Sequence, residues 1–154
     1  MTDAQKEPGI SVAQVFLEAA TFAHRGDFLA LPLTTKPEIG DLQVVIEAGL
    51  RRDKKAGVVR IKVSTQEERD PIYRVAVTMT ALFEEQPGKA NMPLDEFVHG
   101  PAIAFLYPFV REAFANLTAR GRFGPVWLNP FNVQAASQTL RASYAESEPG
   151  PDRA

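Results

Sequence analysis

The chain has no cysteine. Disulfide frameworks and thiolate metal sites are thereby excluded, and the composition fits a reducing cytosol. Histidine is almost as scarce. His24 and His99 are the whole complement and stand too far apart for metal-ligand spacing, so each reads as an ordinary strand-end or loop residue. No apolar run approaches the roughly 18 residues a membrane-spanning helix needs, and the opening "MTDAQKEPGI" has no apolar signal core. A glycine-rich phosphate loop and a G-x-S-x-G turn are both missing. So is an excess of one charge: 17 basic residues face 19 acidic ones, with no clustered basic face for nucleic acid. The pairs Glu67–Glu68 and Glu84–Glu85 fall at strand ends. Solvated turn residues are expected there, whereas a catalytic dyad needs burial and opposed environments. Arg111–Glu112 falls inside a helical pattern and reads as ion pairing. No catalytic residue, cofactor site or metal site can be nominated. The expectation is a cytoplasmic protein that is not an enzyme, binds no nucleic acid and inserts in no membrane.

What is present is enough apolar material for one domain: 154 residues, 45% hydrophobic and 23% charged. That domain is expected over residues 10–145, between flexible ends at 1–9 and 146–154. Residues 12–24 read as a strand apolar on both sides, hence covered on both sides. Leu42, Val44, Ile46, Ala48 and Leu50 alternate as a second strand. Val59, Ile61 and Val63 alternate with Arg60 and Lys62 as a third strand with one wet face. Tyr73 to Phe83 gives a fourth, and short connections make strands two to four an antiparallel meander. Helical spacing then takes over through Ile103, Tyr107, Val110, Phe114 and Leu117. Pro108 predicts a helix start or a kink, and Gly121 a C-cap. Asn132 to Tyr144 is expected to form a C-terminal helix. The fold class is α+β: a four-stranded antiparallel sheet, a long helix, then a C-terminal helix.

The segment after the long helix, "RFGPVWLNPFNV", is irregular by its Gly124, Pro125 and Pro130, yet carries Phe123, Val126, Trp127, Leu128, Phe131 and Val133. Connections normally run over the surface and are polar. Three readings are open. The segment packs on the sheet as core, forms a lid over a small-molecule pocket, or lines a groove that another chain fills. Near Trp127 only Asn129 and Asn132 could orient a small ligand.

The stretch Phe105 to Val133 resembles the SecB export-chaperone family. The residues that carry the resemblance are Leu106, Tyr107, Pro108, Phe109, Arg111, Glu112, Arg120, Gly121, Leu128, Pro130 and Asn132. "VAVTMTALF" is similar to that family's fourth strand and "VAQVFLEAATFA" to its first. The resemblance implies an ATP-independent holdase, tetrameric as a dimer of dimers, that binds unfolded preproteins in apolar grooves and hands them to SecA. It equally implies the family's second branch, chaperones that protect the antitoxin of a toxin–antitoxin pair. Groove candidates are Leu42, Val44, Ile46, Phe123, Val126, Trp127, Leu128, Phe131, Val133, Leu140 and Tyr144. The helix's second apolar side, Phe105 and Phe109 with Val110 and Phe114, is the candidate oligomer interface. Relatives that dock SecA carry acidic residues on the sheet surface, and here Ala19, Ala23 and Ala76 stand at those places. Glu18 is adjacent, but a one-residue offset should turn it to the opposite face. Docking of SecA is therefore doubtful from this sequence.

Overall fold

The structure, a computed structural model, describes residues 9–130. Its elements are β1 (Ile10–His24), β2 (Leu42–Leu50), β3 (Ala56–Thr65), β4 (Tyr73–Glu85), α1 (Leu94–Val98) and α2 (Pro101–Ala119). The four strands form one antiparallel sheet in the order β1-β4-β3-β2. The three hairpin-connected strands lie side by side, and β1 returns to the far edge beside β4. The expected C-terminal helix (132–144), the expected flexible end 146–154 and all but Gly9 of the expected flexible end 1–9 lie outside the described residues.

Register sorts the side chains. Val44, Ile46 and Ala48 pair with Val63, Ile61 and Val59, which pair in turn with Val77, Met79 and Ala81. These rows form the face that α2 covers. Val59, Ile61, Val63, Val77 and Ala81 are at most 1% exposed. Each fully buried valine or isoleucine is worth about 1.5–3 kcal/mol relative to exposure, so the predicted alternation of β3 is the spine of the core. The helix supplies Ile103, Leu106, Val110 and Phe114 to the same core, all at 0%. That corrects the assignment of Val110 and Phe114 to an oligomer interface, because both are consumed by the chain's own sheet. Pro108 sits inside α2. It removes the N–H that would bond the Ala104 carbonyl, and Ala104 lies on the exposed side of the helix, where solvent can take its place.

Two further expectations are corrected. β1 is an edge strand, not one covered on both faces: Val12 and Leu17 are 43% and 52% exposed. Gly121 is not a left-handed cap. The helix ends through Arg120 in an ordinary right-handed conformation. Gly121 is small because a Cβ there would lie 2.5 Å from the Tyr73 hydroxyl and 2.8 Å from Phe22.

Candidate functional site

Beyond α2 the chain reverses through Gly124, whose φ of +88° suits glycine, and runs back along the helix. Three helix side chains hold its backbone. Thr118 Oγ1 accepts the Val126 N–H at 2.9 Å, Arg111 Nε donates to the Leu128 carbonyl at 3.0 Å, and the Tyr107 hydroxyl donates to the Asn129 carbonyl at 2.6 Å. Burial raises the Tyr107 phenol above its ordinary pKa, and the Arg111 charge works against that shift. An irregular segment thus satisfies its main chain without a sheet.

The start of the segment is held as firmly. The Tyr73 hydroxyl accepts the Phe123 N–H at 2.8 Å and donates to the Gly124 carbonyl at 2.9 Å. Burial pushes this phenol up, opposed by those two backbone bonds. His24 Nε2 accepts the Arg122 N–H at 3.0 Å, which fixes its tautomer with the proton on Nδ1. The Arg122 guanidinium reaches the Leu31 carbonyl at 3.3 Å and ties in the β1–β2 connection.

Held this way, the side chains part. Leu128 points inward at 3% exposure, while Trp127 stands out at 68%. Leu128 is therefore core and leaves the list of groove candidates. Phe123 and Val126 are half-buried, as are Leu42 and Ile46 on β2, and Val44 is 41% exposed. Phe131, Val133, Leu140 and Tyr144 lie outside the described residues. Phe105 and Phe109 are each 38% exposed with ring centroids 5.4 Å apart. Phe109 also lines a cleft of about 530 Å³ between β1 and α2, with Leu17, Ala20, Met79 and Leu117 among others.

Sequence reasoning missed Leu29 and Leu33, exposed at 73% and 70% in the β1–β2 connection. The signal was there: apolar residues in a proline-bearing irregular segment, as around Trp127. It also missed the anchoring role of the five side chains that hold the 121–130 segment, Tyr73, Tyr107, Arg111, Thr118 and His24, since side chains at such spacings carry no local signature.

The sheet's other face holds a correction as well. Between Leu17 and Ala19 the register of β1 shifts. This bulge brings Glu18 to the same face as Ala19, Ala23 and Ala76. There both Glu18 oxygens lie 2.7 Å from the Arg60 guanidinium, which also holds Glu47 at 2.9 Å. Arg60 is held above its ordinary value first by the Glu18 hydrogen bond, then by that of Glu47. Register sets Arg74 opposite Ala23 and Lys62 opposite Thr78, while Asp70 lies 3.5 Å from Arg74 and Glu67 and Glu68 line the same hollow as Ala23 and Ala76.

The class defined by these features is an α+β domain whose irregular apolar segment is anchored by its backbone and presents an indole to the outside. The chain belongs to the SecB family, described as preprotein translocase subunit SecB, whose model matches residues 3–142. It is 26% identical over 148 residues to the protein-export protein SecB of Bartonella bacilliformis, covering 94% of this chain and 91% of that one. It is 28% identical over 139 residues to that of Albidiferax ferrireducens, covering 88% and 86%. Among solved structures, the SecB-like chaperone of Mycobacterium tuberculosis in complex with a ChAD peptide from an antitoxin shares the fold. The TM-score is 0.58 at 19% identity, covering 84% of this chain and 95% of that one.

Proposed function

We propose that the protein is an ATP-independent chaperone, a holdase rather than an enzyme, that binds unfolded polypeptides along the apolar surface formed by β2 and the segment after α2. The observation that carries this is Trp127. An indole 68% exposed on a backbone held by Thr118, Arg111 and Tyr107 is presented to a partner at little further ordering cost. A small-molecule pocket fits less well. The carbonyls of Leu128 and Asn129 that could orient a ligand are already taken by Arg111 and Tyr107. The clients of such a chaperone are preproteins, and its compartment is the cytoplasm. In assembly it is a tetramer built on Phe105 and Phe109.

A second reading within the family is protection of an antitoxin. It is supported by Ala19, Ala23 and Ala76, positions that offer no carboxylate of their own to steer a basic docking partner. SecA is the less favoured recipient for the same reason. The test of the proposal is aggregation of thermally unfolding citrate synthase followed by light scattering. Suppression at near-equimolar chaperone without nucleotide supports a holdase. Undiminished scattering at several-fold excess rejects it.

A further inference from the structure

We infer that His24 is an acid-released latch between the β1–β2 connection and the segment after α2. The junction is closed by a neutral imidazole and opens when the ring takes up a proton. This is a property of the fold and stands or falls independently of the holdase reading.

His24 is the last residue of β1 and is half-buried. Its ring lies 4.6 Å from that of Phe28, in the short turn Phe28–Ala30, and meets Phe22 and Tyr73 edge-on at 5.1 and 5.4 Å. These contacts fix the plane of the ring and aim Nε2 at the Arg122 N–H, 3.0 Å away. Among the described residues no carbonyl takes that N–H. The Arg122 guanidinium donates to the Leu31 carbonyl at 3.3 Å and stands over the Phe123 ring at 5.6 Å. Arg122 is thus joined to the other side of the junction twice, by its main chain through His24 and by its side chain through Leu31. The connection carries the exposed Leu29 and Leu33, and the segment carries Trp127. The latch therefore sets how two apolar stretches lie relative to one another.

Only the neutral ring can close it. A neutral imidazole has one nitrogen that accepts, whereas an imidazolium donates from both. Once protonated, Nε2–H would meet the Arg122 N–H donor against donor, and the Arg122 guanidinium would add like charge. The charged groups around the ring offer no substitute. On the connection, Arg25 holds both oxygens of Asp27, at 2.6 and 3.1 Å, and donates to the Asp70 carbonyl. From β4 and the turn before it come the Tyr73 phenol, occupied by Phe123 and Gly124, and the Arg74–Asp70 pair at 3.5 Å. Glu67 and Glu68 line the hollow with Ala23 on the opposite face of the sheet. From the end of α2 come the cations Arg120 and Arg122. Among the described residues no carboxylate bonds the imidazole, whose hydrogen bond goes to Arg122.

What marks the junction as a switch is the residue type. The same task at Val126 falls to the Thr118 hydroxyl, which does not titrate. Tyrosine and arginine, the other anchors, keep their protons to about pH 10 and beyond. Histidine is the side chain whose charge changes between about pH 5 and 8. Of the five anchors only His24 can let go in that range. Release frees Nε2 to bind a proton, so by linkage acid favours the open junction and neutral pH the closed one.

The test is hydrogen exchange of the full chain followed by NMR. Each amide is expressed as a protection factor, so that the intrinsic effect of pH on exchange divides out. Between about pH 7.5 and about pH 5.5, protection at Arg122 should fall by about threefold or more, while at Val126 it stays within about twofold. His24→Gln supplies an acceptor that does not titrate and should hold Arg122 protection level across the range. His24→Phe keeps a ring but supplies no acceptor, so protection there should be low at both ends. Flat protection in the wild-type chain, or an acid-induced fall that persists in either variant, overturns the inference. A further check needs no variant. The Arg122 amide shift should follow the titration of the His24 ring protons with one midpoint, and two separate midpoints would overturn the latch.

Discussion

Tyr73 holds the start of the apolar segment with one hydroxyl, fully buried at the base of β4 and bonded to two backbone groups. Tyr73→Phe leaves both of those groups unmatched and should cost about 1–3 kcal/mol at neutral pH. Burial holds the folded-state phenol above its ordinary value, so folding favours the neutral form. That contribution is complete below about pH 10 and is lost as pH rises through the folded value. Urea denaturation from pH 7 upward should therefore show wild-type stability falling more steeply above pH 10 than that of the variant. Parallel profiles would contradict the assignment. Trp127 and Leu128 form a second test at this scale. Leu128→Ala opens a cavity and should cost about 2–5 kcal/mol. Trp127→Ala should leave the melting temperature nearly unchanged and lower client affinity. Calorimetry and client binding together check the pair, and a large fall in melting temperature for Trp127→Ala would place the indole in the core. Sequence could not separate these neighbours. Their alternation is set by Thr118, Arg111 and Tyr107, which act from another element.

Elements were more legible than residues. The strands from β2 to β4 and the helix α2 follow from period-2 and period-3.6 patterns that burial alone produces. α1 was not read, because five residues are too few to show a period. The bulge in β1 was invisible for a similar reason: an inserted residue leaves apolar residues in place and changes only which face the next one meets. Missing it sent Glu18 to the wrong side of the sheet. Gly121 shows a further limit. A glycine after a helix suggests a cap, yet its reason is the close approach of Tyr73 and Phe22 from the sheet. Gly121→Ala should drive these rings or the helix end apart and destabilise the fold by about 1–3 kcal/mol. A variant as stable as wild type in thermal melts would restore the cap explanation.

At the scale of the molecule, the described residues leave apolar surface at Trp127, along β2, at Leu29 and Leu33, and along Phe105, Phe109 and the cleft to β1. Among the described residues, Phe105 and Phe109 are left 38% exposed. Replacing Phe105 and Phe109 together by serine should lower the sedimentation coefficient to that of a smaller species while the melting temperature of the separated chain changes little. An unchanged coefficient would remove this face from the assembly. The surface at Trp127 is the proposed client site, and Trp127 is the protein's single tryptophan, a built-in reporter. The most direct measurement is the emission of Trp127 during titration with a tryptophan-free unfolded polypeptide. Binding at this surface predicts a saturable blue shift and protection from acrylamide quenching, because the client covers an indole now 68% exposed. Unchanged emission and quenching, with the same client shown to be bound by co-sedimentation, would contradict the account.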